Sequence, residues 1–481
     1  MRPSAWLISV VAPVAVVACA AWPYRPPAPA LAGDLAVPPA RGGDAPDLRR
    51  PIGAAGCAAA ACHGGPATDA LARGDAAAPD CWKTSATHWF ARDPHARAYA
   101  DLEGELAARI MAGMAAGGPL VRATDDARCL ACHTNPALAP AGTPESLVAL
   151  RREGVGCEAC HGNAGGWLYE HTAWYDQRPP DATMARLNDL GERAAACAGC
   201  HVGAAPDPAR GYPARDMNHD MIAAGHPRLN FDFADSQRRL TPHWFERDRA
   251  APGGPPRGPD FEARAWLVGR VAHAEAAALL LADRAARADR GDPATPWPEL
   301  AESSCVSCHH AVGGNAFPAP RQPRKPGRPQ WQPVWPVTRT DDLRRLDAFA
   351  AAPPAAAGVD ALLAAVQKTR PPAAALKDRA GLTAAALRDL RRELAAAPAA
   401  DVTAAAGRVL AAAVEHDDFD RDAAWQVYYG LAAAERTRTR AGMPPDPAFT
   451  GVRETLLLPA GTTLRFDAPP GIAAEFKKLL K

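Results

Sequence analysis

Ten of the twelve cysteines in this 481-residue chain form five pairs, each followed at once by histidine. The sets are Cys57, Cys62, His63; Cys129, Cys132, His133; Cys157, Cys160, His161; Cys197, Cys200, His201; and Cys305, Cys308, His309. Four have the spacing Cys-x-x-Cys-His, and the first is expanded, with four alanines between its cysteines. At this composition roughly 0.01 chance matches to the standard spacing are expected, so the pattern is selected. Its chemistry is haem c attachment: two thiols add to the porphyrin vinyl groups, and the histidine of the same turn coordinates iron. Structural zinc and redox pairs also use cysteine, but neither requires histidine directly after the second one. The reading is five covalent haems.

The sixth iron position decides what such a site does, because a second histidine closes it for electron transfer while an open position binds small molecules. Nine histidines lie outside the motifs: His88, His95, His171, His219, His226, His243, His273, His310 and His416. His95, after Asp93-Pro94 at the opening of a helix, and His171, flanked by Trp167 and Trp174, are candidate distal ligands. His226, His219 and His243 follow the fourth motif and complete the set; His273 and His310 rank behind them, and His88 and His416 read as solvated side chains.

Something must hold these residues. Much of the 48% apolar fraction is alanine and aromatics make up only 6%, so a protein-only core is thin for this length. The motifs from Cys57 to His309 are too close together for five separate domains, so residues 51–316 read as one pentahaem array in which porphyrins supply apolar filling. Residues 33–50 read as a flexible lead-in, Ala251 to Asp260 as a Pro/Gly linker, and 317–339 as a Pro-rich strap carrying Trp331 and Trp335. Phe261 to Arg287 reads as a helix whose Trp266, His273 and Leu280 share a face that can meet a haem. Residues 340–481, without cysteine, read as a helical C-terminal domain. Thr340 is a possible cap ahead of Leu343 and Leu346, Thr383 precedes Leu387, Leu390 and Leu394, and Asp420 precedes Trp425, Tyr428, Tyr429 and Leu431. The expected fold class is mainly α with long loops.

Residues 1–32 have the features of a signal peptide, with an apolar stretch and Ala30-Leu31-Ala32 before Gly33; Val16-Val17-Ala18 before Cys19 also resembles a lipobox, so a lipoprotein or membrane anchor competes. Either way the folded part is expected to be periplasmic or otherwise extracytoplasmic. No later apolar run reads as a membrane span. Cys81 lies outside every motif and reads as a buried free thiol. The 54 Lys+Arg against 53 Asp+Glu exclude a nucleic-acid binder held by general charge. Loss of residues 1–32, with Arg2 and Arg25, takes +1 to −1, and five ferric haems with ionised propionates bring the total to roughly −6, which suits redox partners with basic docking surfaces.

The chain resembles the cytochrome c-554 family of exported multihaem electron carriers. The resemblance rests on Gly154-Val155-Gly156-Cys157-Glu158-Ala159-Cys160-His161-Gly162 with His171 downstream, and on Asp93-Pro94-His95-Ala96-Arg97-Ala98-Tyr99. It implies that His95 and His171 are distal haem ligands, and that haems stack in close pairs. The chain departs from the tetrahaem pattern by a fifth motif and by its helical tail, so ligand pairing does not transfer. The expected function is electron transfer through mostly or wholly bis-histidine haems. The alternative is a multihaem oxidoreductase acting on a small nitrogen or sulfur compound at one open haem.

Overall fold

In the computed structural model, the described residues are 50–66, 81–115, 118–174, 183–227, 231–240, 258, 260–302, 340–366, 372–415, 421–440, 442–457 and 468–480. Backbone alone is described for Cys81, Trp82, Thr340, Asp341 and Arg440. The fifth motif (Cys305, Cys308, His309), His243, His310, His416, Asp420, the 1–32 segment and the Pro-rich strap lie outside the described residues.

The described chain is mainly helical, as expected, and its only β pairing is two isolated bridges, Ala204 with Arg215 and Asp207 with Tyr212. The α-helices of five or more residues are α1 Ser85–Arg92, α2 Glu105–Ala115, α3 Ala127–His133, α4 Cys157–His161, α5 Leu190–His201, α6 His219–Ala223, α7 Phe233–Arg239, α8 Phe261–Asp289, α9 Thr340–Arg344, α10 Ala352–Val366, α11 Ala373–Ala396, α12 Ala399–Val414, α13 Arg421–Arg440, α14 Ala448–Leu456 and α15 Ile472–Leu479.

The three standard motifs within the described residues each end a helix, α3, α4 and α5. Helical periodicity explains this placement: cysteines three apart lie on one face of a single turn, with the histidine next along it. Asp126 and Asp189 cap α3 and α5 by accepting the backbone N–H of Arg128 and Glu192. The expanded motif differs. A 3-10 turn, Ala54–Cys57, leads into a tight loop through the alanines, closed by His63 N–H donating to the Cys57 carbonyl at 3.2 Å.

α8 organises the rest. It packs on α5, α7, α11, α12 and α13, and the largest apolar cluster joins Leu190, Phe231, Phe233 and the α8 face to Leu343, Leu387, Leu410 and Phe476. By length and composition α8 could cross a membrane, which the sequence reading had not found. Its apolar window is 83% buried within the protein, as in the core helix of a globular fold. Charges inside this core are paired: Arg270 with Asp342 at 2.7 Å, Arg391 with Glu275 at 2.7 Å, and Arg436 with Glu262 at 3.0 Å.

Trp266, His273 and Leu280 do share a face of α8, but protein side chains fill it. A Cβ on Gly430 of α13 would overlap the Trp266 ring, one on Gly203 would lie 2.7 Å from Leu280, and His273 stacks on Phe231. Thr383 lies mid-helix in α11, its hydroxyl donating to the Arg379 carbonyl, so it does not cap that helix. The helix starts at Ala373, after Pro372.

Candidate functional site

The described motifs converge. The Cys57 thiol lies beside Cys157, and Cys132 beside Cys200, so motif one meets motif three and motif two meets motif four. Asn135 and Asn163, just after motifs two and three, share a buried hydrogen bond of 3.0 Å. Two carboxylates bind the segment ahead of motif one. Glu158, between the cysteines of motif three, accepts the backbone N–H of Ile52, Gly53 and Ala164, and Glu153 accepts that of Ala54. Burial raises the pKa of both carboxyls, against the backbone donors that favour their charged form.

The histidines pair across the chain. His63 and His171 lie 6.3 Å apart between ring centres, with planes 13° from parallel. His95 and His201 lie 6.0 Å apart at 80°, and His133 and His226 lie 6.4 Å apart at 83°. Each pair joins one motif histidine to one outside the motifs. A metal–imidazole bond is about 2 Å and the ring centre lies about 1 Å further out, so two rings facing one iron from opposite sides stand roughly 6 Å apart.

Five of these six rings have Nδ1 against an acceptor. It is the Asp93 carboxylate for His95 (2.8 Å), and backbone carbonyls for His133 (Ala98, 2.7 Å), His226 (Pro227, 2.8 Å) and His171 (Trp167, 3.3 Å). His63 Nδ1 lies 3.1 Å from the Ser85 hydroxyl. A carbonyl or carboxylate cannot donate, so Nδ1 carries the proton in those rings and Nε2 is left bare for a metal. His201 differs, lying flat on Phe231 at 4.4 Å and 13°. Burial, then the charge of His95, lowers the His201 pKa to about 4, keeping the imidazole neutral as ligation requires. His95 moves up: burial opposes protonation, but the Asp93 hydrogen bond and charge outweigh it.

A bare metal ion fits less well. Among the described residues no cluster of three or more metal-ligating side chains occurs, so a bare ion such as zinc has no site. The eight described motif cysteines are free; burial pushes Cys129 up to about 11 and Cys197 up to about 12, while the neighbouring Cys132 thiol lowers Cys200 to about 6. Two imidazoles about 6 Å apart suit a metal that brings its own four equatorial donors, and thiols beside them suit a macrocycle with reactive vinyl groups. The residues fit haem c.

His219 is half-buried at the start of α6, its backbone N–H donating to Glu299 at 2.9 Å. His88 is 2% exposed on α1 and so is not the solvated side chain its surroundings in sequence implied. It and His273, also 2% exposed, are enclosed, whereas all six paired histidines are half-buried. Glu158, Glu153, Ser85 and Phe231 were not read as site residues; only Glu158, an acid inside a cysteine motif, carried a signal in the sequence.

Gly154 shows why His95 sits where it does. Its φ is +71°, and a Cβ there would lie 2.5 Å from the His95 carbonyl, while Val155 N–H donates to that same carbonyl at 3.0 Å. The Gly-Val-Gly run thus docks the His95 turn against motif three.

No curated protein and no solved structure matches the chain. A family model described as cytochrome c554 and c-prime matches residues 77–162, the stretch holding His95 and motifs two and three. Over these residues the chain is similar to that family, and the match supports a c-type cytochrome with an electron-carrier role.

Proposed function

We propose that the chain is an exported multihaem cytochrome passing electrons through five covalent haems, with most or all irons held between two histidines. The observation that carries this reading is the set of three histidine pairs 6.0 to 6.4 Å apart. When bound, haem supplies one-electron exchange between ferric and ferrous iron.

In this reading the cysteines at 57 and 62, 129 and 132, 157 and 160, 197 and 200, and 305 and 308 anchor the groups. His63 works with His171, His133 with His226, and His201 with His95. His161 and His309 draw their partners from His219 and His243. Glu299 supports His219 in this, since it accepts the N–H of both His219 and Ala301, just ahead of the fifth motif. Held on both sides by histidine, an iron would be closed to small ligands, which favours a carrier over an oxidoreductase for nitrogen or sulfur compounds.

The proposal includes export by residues 1–32, cleaved or retained as a tether, and an array over 51–316 with a strap over 317–339. The helical region 340–481 supports the array through α8, and the holoprotein, at roughly −6, docks redox partners through their basic surfaces. Spectroscopy of the oxidised holoprotein tests the reading: wholly low-spin iron and no carbon monoxide binding after reduction are expected, and a high-spin, ligand-binding haem would favour the enzyme.

A further inference from the structure

The three histidine pairs differ in the angle between their rings: 13° for His63 and His171, 80° for His95 and His201, and 83° for His133 and His226. Each ring plane is fixed by whatever holds its Nδ1, because a hydrogen bond to a rigid acceptor stops rotation about the iron–nitrogen axis. His95 is held by Asp93, which also accepts the His95 backbone N–H at 2.9 Å and is itself buried. His201 has no Nδ1 acceptor among the described residues. Phe231 lies on its ring face instead, at 4.4 Å and 13°, and is wedged from behind by His273 at 5.1 Å and 28°. Phe231 is held in turn by its backbone, whose carbonyl accepts the Gln426 side-chain N–H at 3.3 Å. Asp232 beside it caps α7.

We infer that Phe231 is a positioning residue that fixes the plane of His201 and so holds the His95/His201 pair near perpendicular. The inference rests on the proposed ligation of iron by this pair. The angle between two axial imidazoles sets the splitting of the iron d orbitals that accept electron density from the rings. Parallel rings split them strongly and give a rhombic low-spin ferric signal. Perpendicular rings leave them nearly degenerate and give a highly anisotropic signal with a large maximum g value. His63 and His171 belong to the first class, and the other two pairs to the second. The wall of Phe231 and His273 therefore does for His201 what a carbonyl or carboxylate does for its counterparts, with no proton acceptor among the described residues to make the ligand more basic.

The test is low-temperature electron paramagnetic resonance of the oxidised holoprotein, with haem counted as the pyridine haemochrome. The wild type should show both rhombic and large-g low-spin signals. Phe231→Leu, which removes the flat wall, should shift one large-g signal, worth one haem per chain, towards lower g at unchanged haem content. Phe231→Tyr, which keeps the ring, should leave it in place. A Phe231→Leu spectrum identical to wild type at full haem content overturns the inference. So does a wild-type spectrum of rhombic low-spin signals alone, an outcome that needs no variant to fold. Absence of low-spin signals from the wild type, or of haem itself, would instead show that the ligation reading had failed.

Discussion

Asp93 grips His95 twice: one carboxylate oxygen accepts the backbone N–H at 2.9 Å and the ring Nδ1–H at 2.8 Å. A carboxylate on Nδ1 makes the imidazole a stronger donor and so stabilises ferric over ferrous iron. Asp93→Asn weakens that push, and the potential of the His95/His201 haem should rise by tens of mV, where about 59 mV is a tenfold change for one electron. A spectroelectrochemical titration of variant and wild type reads the shift; a fall, or no change, contradicts the assigned role.

His171→Ala removes the partner that stands 6.3 Å from His63. One haem should become high-spin and bind carbon monoxide when reduced. His88→Leu is the control, because its enclosed ring pairs with no motif histidine among the described residues, and it should leave the spin state unchanged. A high-spin signal from His88→Leu, or none from His171→Ala, would reverse the ligand assignment.

Gly154→Ala forces a side chain into φ +71° and against the His95 carbonyl. It should cost at least 1–2 kcal/mol of stability. Because the same contact seats His95, part of the His95/His201 haem should turn high-spin. Thermal unfolding and absorption spectra check the two effects together, and a loss of stability with intact low-spin character would separate Gly154 from ligand placement.

Asp232 contributes a pH dependence of its own. Burial pushes its carboxyl up to about 6. A folded-state pKa above the ordinary value near 3.9 means that the folded chain binds the extra proton, so this group's contribution to stability falls as pH rises from about 4 to about 6. Asp232→Asn keeps an oxygen for the Asp235 N–H, 2.8 Å away, and removes the buried charge. The variant should be more stable than wild type by about 3 kcal/mol at pH 7 and equal to it below pH 4. Denaturant unfolding at the two pH values decides; an equal gain at both would show that the charge is not its source.

Local chemistry was legible and long-range pairing was not. The haem motifs and candidate ligands follow from residue type and spacing, since attachment and proximal ligation lie within one turn of chain. His171 follows motif three in sequence but faces His63 of motif one, and His95 faces His201, far along the chain. Such pairing depends on the packing of helices, which periodicity does not encode. His88 misled for a related reason: nothing in Thr87-His88-Trp89 says that α1 turns this residue inward. Trp266, His273 and Leu280 were read as one helix face able to meet a haem; in the structure its partners are Gly430, Phe231 and Gly203, each a match of shape visible only once the helices are packed.

The central claim is covalent haem at five motifs, and the intact mass of the purified holoprotein tests it most directly. The account predicts the mass of the processed chain plus five haem units, with all colour retained through acidic solvent extraction. A colourless product, haem lost to the solvent, or a mass short of five units would contradict it.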